Sequence, residues 1–353
     1  MILAYCFHAD RYSFPFFGFG ESEGRSMVRK SRLMLATSFR VGTRCNGDFG
    51  FGDLAMTLPE INKLYSTDDR CRELLERLRW PEGVTCPRCK DRRVSRMKDY
   101  ARFECVGCEY QFTVTSGTIF HDSHLPLPTW FLAVLLLCEA KKGMSAMQVK
   151  RTLGIAYKTA WYLCHRIRAA MATAEKGMLY GTVEMDETYL GGVQRGHQHK
   201  PGHPECKKEI VIGLRQRGGE TRFFHAEDAK SGTLAQFIRE NISEDVDVIV
   251  TDEFNAYPGA MKETGHAAKH KTIKHKAKVY VDGDIHTNTV ESAFSLLKRG
   301  VIGTWHRISA KHLAAYLEEM TFRFNRRGRS DLFIDTLRHM VTTDPLTFEN
   351  LTA

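Results

Sequence analysis

A chain of 353 residues with 42% hydrophobic and 26% charged positions has the make-up of a folded protein of about two domains. A wholly disordered or fibrous chain is excluded. Lys and Arg number 51 against 42 acids, a net charge of +9, so a polyanion is the partner to look for, provided the excess is clustered. The first residues lack the charged start and clean apolar run of a secretory signal, and a disulfide framework is not expected from the ten cysteines. The longest apolar run, 130–138, is far short of the ~20 residues of a membrane helix. The expectation is an intracellular, soluble protein.

Residues 1–55 hold ten aromatics and seven glycines with no sustained period. They are expected to be a poorly ordered tail, or an over-extended reading frame whose true start is Met56. Leu58, Ile61, Leu64 and Tyr65, then Cys71, Leu74, Leu75 and Leu78, recur at helical spacing, predicting N-terminal helices within 56–80. Residues 81–122 are Cys-rich and basic, with strand-like pieces at 102–104 and 111–114. Residues 126–176 predict three helices, at 129–140, 145–154 and 157–172, with Ser145 as an N-cap and Gly154 as the residue past a C-terminus. From 180 the period shortens to strands at 181–186, 209–215, 222–226, 246–251 and 278–281, with a helix at 233–241. Helices at 289–299 and 310–325 complete a domain over 180–328, and 329–353 reads as a C-terminal tail. Strands first and helices later, with one strand–helix–strand unit, predict an α/β domain with a mixed sheet.

Cys86-Pro87-Arg88-Cys89 and Cys105-Val106-Gly107-Cys108 are two CxxC pairs fifteen residues apart. That is zinc-ribbon spacing: two tight turns present four thiolates to one structural Zn²⁺. A redox CxxC usually comes singly, and chance rarely yields two pairs at this distance. Between Arg88 and Arg102 lie seven Lys/Arg against two Asp, suited to phosphates or simply to solvent. His197, His199, His203 and Cys206 also cluster, in a Gly/Pro/Lys-rich stretch that reads as a loop rather than a second zinc site.

Residues 141–176 carry eight Lys/Arg and one acid. Two helices joined by a short Gly-containing turn have the outline of a helix-turn-helix. In the last helix Trp161, Cys164, Ile167 and Met171 form an apolar stripe. Lys158, Tyr162, His165 and Arg166 then fall on a free face able to touch DNA. The plainer alternative is a helical hairpin with a solvated basic face.

Acids gather at predicted strand and helix ends. Glu184, Asp186 and Glu187 close one apolar run, and Asp252 and Glu253 close another, at the sheet edge where α/β sites form. In 286–298, Val290, Phe294 and Leu297 make a core face, while Asn288, Glu291, Ser295 and Lys298 share an adjoining one. Separated acids meeting at one point hold Mg²⁺ or Mn²⁺ through hard oxygens, and two such ions promote phosphodiester cleavage. Taken singly, each acid reads equally as a turn cap or a surface ion pair. Residues 262–278 hold six Lys and one Glu, and 298–329 hold eight Lys/Arg and two Glu. The charge excess therefore surrounds the acids.

With these residues in view, the chain resembles bacterial insertion-sequence DDE transposases of the Merlin-related, zinc-ribbon group (ISXO type). The resemblance is carried by the ribbon with FTVTSGTIF at 112–120, MDETYLGG at 185–192 and VTDEFNAY at 250–257. HTNTVESAFSLLKRGVIGTWHRIS at 286–309 and FRFNRR at 322–327 complete it. It spans about 60–330. It implies an RNase H-like catalytic domain with two Asp and a third acid or amide, a divalent metal, and cut-and-paste movement of a DNA element.

Carried over, the two Asp are Asp186 and Asp252. Glu291 is the third ligand, with Asn288 one turn upstream as the competing or supporting group, and Lys298 and Arg299 face DNA. The expected protein binds the element's terminal inverted repeats, acts as a homo-oligomer on DNA, needs no membrane and works in the cytoplasm at the nucleoid. The rivals are a regulator that has lost catalysis and a structure-specific nuclease of the same fold.

Overall fold

The computed structural model describes residues 56–353 apart from 99–100, 173–175, 192–207, 274–282 and 307. The readings made for 1–55, for a strand at 278–281 and for the His197–Cys206 cluster lie outside the described residues.

Two short helices come first among the described residues, α1 (Leu58–Leu64) and α2 (Asp68–Arg79). Thr67 caps α2 by accepting from the Arg70 amide. The ribbon follows as three antiparallel strands in the order β1 (Val94–Arg96), β2 (Arg102–Cys105) and β3 (Gln111–Thr113). Three helices come next, α3 (Leu127–Glu139), α4 (Ala146–Leu153) and α5 (Tyr157–Ala172). Ser145 does cap α4, and Gly154 stops it in the left-handed conformation at φ 68°. α3 is apolar around most of its circumference, so it runs through the middle of a core rather than over it.

The C-terminal segment is not a tail. α10 (Leu332–Thr342) and α11 (Phe348–Thr352) are helices, and Phe333, Leu337 and Met340 bury in the same core as Leu74, Phe131 and Ile167. These side chains recur at helical spacing, and α10 closes against α2, α3 and α5. α10 thus completes the helical body that α2, α3 and α5 build.

Between them lies the mixed sheet. Its strands are β4 (Thr182–Leu190), β5 (Glu209–Gln216), β6 (Thr221–Ala226), β7 (Val248–Thr251) and β8 (His270–Thr272). Their order is β6-β5-β4-β7-β8; β4, β5 and β6 are antiparallel neighbours, β7 runs parallel to β4 and β8 parallel to β7. This is the RNase H-like mixed sheet that the resemblance implies. β8 is an addition to the predicted strands: three residues, His-Lys-Thr, on the sheet edge.

Both faces are covered. α6 (Ser231–Asn241) and α7 (Ala256–Glu263) pack on Val183, Met185, Ile212 and Leu214. α8 (Asn288–Gly300) and α9 (Ala310–Arg326) pack on Val211 and Phe223. Among the described residues no helix is long and apolar enough to cross a membrane.

Candidate active site

β4 is longer than its sequence pattern suggests, because β5 pairs with it from Val183 to Leu190. β7 is shorter. With β4 it pairs only at Thr182–Val248, Val183–Ile249 and Glu184–Val250. The same offset carried two residues further sets Asp252 beside Asp186, just where the ladder has ended. A strand that stops next to one that continues leaves an open notch, and the carboxylates line it.

Asp186, Glu187 and Asp252 each bring a carboxylate oxygen within 4.8 Å of the others. All three are part-buried. Burial first, then the charges of Glu187, Asp252 and Glu291, push the Asp186 carboxyl up to about 7. Burial and Asp252 likewise raise Glu187, against a hydrogen bond from Tyr257 that lowers it. The Tyr257 hydroxyl, on α7, donates to Glu187 at 2.6 Å. Asp252 accepts from the Phe254 amide at 3.0 Å, and Asp186 from the Glu187 amide at 2.9 Å. Among the described residues these are few donors for three clustered acids, which is the setting a divalent cation with hard oxygen ligands relieves.

The two predicted Asp therefore meet, joined by Glu187, which the sequence reading placed in the same acidic run without a role. Glu291 lies on the exposed side of α8, near enough for its charge to act on Asp186. Its carboxylate accepts from the Thr287 hydroxyl at 2.8 Å. Asn288, the first residue of α8, is exposed, as are Lys298 and Arg299 further along the helix.

The four ribbon cysteines likewise come together within 4.8 Å. Cys86 Sγ lies 3.7 Å from Cys108 Sγ, and Cys89 Sγ 3.4 Å from Cys105 Sγ. A disulfide needs ~2.05 Å, whereas four thiolates each ~2.3 Å from a tetrahedral zinc are ~3.8 Å apart. The set fits one structural Zn²⁺.

Known domain families match the stretches of chain that hold both clusters. Residues 66–111 match the transposase zinc-ribbon domain, and residues 178–325 match the ISXO2-like transposase domain. Together the two stretches cover more than half of the chain. A protein in transposable element ISH50 of Halobacterium salinarum, itself uncharacterized, is 29% identical over 291 residues, 76% of this chain and 96% of the relative. The chain carries an ISXO2-like transposase domain behind a transposase zinc ribbon. It is a DDE-type transposase with an N-terminal zinc ribbon.

Among solved structures, the Mos1 strand transfer complex aligns over 60% of this chain and 74% of its own at 9% identity and TM-score 0.28. A pre-cleavage Mos1 transpososome aligns over 60% and 75% at 10% and TM-score 0.25. Scores this low say nothing further about this transposase.

The DNA-facing surface predicted on α5 of the transposase needs correction. His165 and Arg166 are 1% and 3% exposed. α5 is enclosed by α3, α9 and α10, so it has almost no free face for its charges. Arg166 donates to the His121 carbonyl and lies over the Trp130 ring. His165 packs among Trp161, His312 and Tyr316. The Tyr162 hydroxyl, part-buried, donates to the Leu346 carbonyl. Next to them Arg168 makes a buried ion pair with Glu319 of α9 at 2.6 Å. Of the four predicted α5 contacts only Lys158, in the first turn, is exposed.

One further residue of the transposase site escaped the sequence reading of roles. Glu184, two residues before Asp186 on β4, is fully buried and ion-paired to Arg217 at 2.7 Å. An acid in a strand that is apolar on both sides was the available signal.

Proposed function

We propose that this transposase binds the terminal inverted repeats of an insertion sequence, cuts DNA strands there and joins the freed ends to a target. The observation that carries the reading is the notch between β4 and β7, where Asp186, Glu187 and Asp252 crowd together with few donors among the described residues. Asp186, Asp252 and Glu291 would hold two Mg²⁺ or Mn²⁺ ions, with Asn288 in support. The bound ions supply Lewis acidity, activating an attacking oxygen and stabilising the leaving one.

The protein's own residues orient the strand. Lys298 and Arg299 lie exposed on the helix that carries Glu291, in place for phosphates flanking the reacting one. Water first displaces the 3′ oxygen at the element end, leaving a 3′-hydroxyl and a 5′-phosphate. That hydroxyl then displaces the equivalent oxygen in target DNA, so one phosphodiester forms as another breaks. The zinc ribbon, with its run of arginines, and Lys158 contribute to end recognition. Two ends must be held in one complex, so the working form is a homo-oligomer on DNA, in the cytoplasm at the nucleoid. The ISH50 relative, named for its element, supports a mobile-element role.

Labelled element ends incubated with the protein and Mg²⁺ test the reading. Asp186→Asn is expected to abolish cleavage while leaving end binding largely intact. Cleavage without end joining would indicate a nuclease; binding with no cleavage by the parent protein would indicate a regulator.

A further inference from the structure

We infer that Glu184 is the positioning residue of this site: it caps α8 from the neighbouring strand and so fixes Glu291 against Asp186 and Asp252. This rests on the reading of Glu291 as a metal ligand.

The start of α8 lacks the usual local cap, for Thr287 makes no side-chain capping bond to its own helix amides. Glu184 takes that place. One of its oxygens, Oε2, accepts from the Thr289 amide at 3.0 Å, the Val290 amide at 3.0 Å and the Thr289 hydroxyl at 2.7 Å. Those two amides belong to the second and third residues of the helix, the pair an N-cap side chain ordinarily satisfies. A carboxylate also suits the positive end of the helix dipole. Oε1 meets the Arg217 Nε at 2.7 Å and lies 3.2 Å from His286 Nδ1. Arg217 in turn donates to the carbonyls of Asp284 and His286, binding the approach to α8 to the same carboxylate.

The consequence reaches the site by two routes. Glu184 and Asp186 are two apart on one strand, hence on the same face, so a rigid β4 sets the distance from Asp186 to the first turn of α8. With capping done by Glu184, the Thr287 hydroxyl is left to donate to Glu291 Oε1 at 2.8 Å. The third acid is thereby oriented by a residue relieved of the capping role.

The test uses full-length Glu184→Gln, with Glu184→Asp as a second variant that keeps the charge but withdraws it by one methylene. Hydrogen exchange reads the cap, and Mn²⁺ titration followed by electron paramagnetic resonance reads the site without turnover. Exchange at the Thr289 and Val290 amides should accelerate in Glu184→Gln, and Mn²⁺ affinity should fall about 10–100-fold, the usual loss when a ligand's supporting partner is removed. DNA-end binding should persist. Glu184→Asp should fall between the two, and it serves if Glu184→Gln does not fold.

In a Glu291→Gln background Glu184→Gln should cause little further loss of Mn²⁺ affinity, because the effect passes through Glu291; full additivity would reduce Glu184 to a structural ion pair. Parent-like Mn²⁺ binding in Glu184→Gln, with binding lost in Asp186→Asn, overturns the role of Glu184 alone. Parent-like binding in Asp186→Asn overturns the metal reading of the site.

Discussion

Gly213 stands opposite Asp186 across the β4–β5 ladder, and its missing side chain is what lets α8 close beside the acids. A Cβ at Gly213 would sit 2.5 Å from the Phe294 ring and 3.0 Å from Val290 Cγ2. Both neighbours belong to the core face of α8. Glycine inside a strand marks such a close approach. Gly213→Ala is expected to lower stability by about 1–3 kcal/mol, the usual cost of overpacking. It should also move α8, and Glu291 with it, away from β4. Denaturant unfolding reads the first effect and Mg²⁺-dependent strand cleavage the second. Adding Phe294→Leu should restore much of the stability. A Gly213→Ala protein as stable and active as the parent would show that α8 is not held by this contact.

The ribbon offers a second test. Its strands have three, four and three residues, and its buried apolar core is little more than Cys86, Phe103, Cys105 and Phe112 beneath Trp80. A core so small does not hold a fold unaided, so metal binding and ribbon folding should be one event. One zinc per chain is expected by elemental analysis. Chelation should remove amide-exchange protection from 94–113 while β4 and β5 stay protected, and Cys105→Ser should do the same without chelator. Protection that survives metal removal would refute a zinc-dependent ribbon.

Much of this architecture was legible in the chain, for definite reasons. The cysteine pairs and the two acid-tipped apolar runs are local signals, and local signals survive in a sequence. What failed to show depends on partners far along the chain. The notch exists because β7 stops where β4 does not, a matter of pairing length. The charges of α5 look solvated when only 157–172 is considered, yet His165, Arg166 and Arg168 are covered by helices that include α9 and α10. Arg168 is tolerated there because Glu319 meets it 151 residues later. Residues 329–353 looked like a tail because their apolar positions have no counterpart until the N-terminal helices supply one. Glu184 read as one acid in an acidic run, and only the arrival of Arg217 and of α8 gives it donors.

The burial of His165 makes the helical body sensitive to acid. Its ring is packed against Trp161, with centroids 4.5 Å apart, and against His312 at 4.8 Å, and its buried Nε2 has no hydrogen-bond partner among the described residues. The groups facing it are Trp161 on its own helix and His312 and Tyr316 on α9, with the Arg168 guanidinium close by and paired to Glu319. Burial foremost, then the charges of Arg168 and His312, pull the His165 pKa down to about 3. An unfolded histidine takes up its proton near 6.5. Above that pH the group contributes nothing to the pH dependence. Below it the unfolded chain binds a proton that the folded chain refuses until about pH 3, so stability falls as the pH is lowered through this window. At pH 5 the loss is on the order of 2 kcal/mol. His165→Phe keeps a ring in place but cannot titrate. From pH 7.5 to pH 5.0 the variant should therefore gain about 2 kcal/mol relative to the parent in denaturant unfolding. A difference that stays constant between the two pH values would mean that folded His165 protonates as freely as the unfolded one, and that the enclosure by α9 is looser than the packing described.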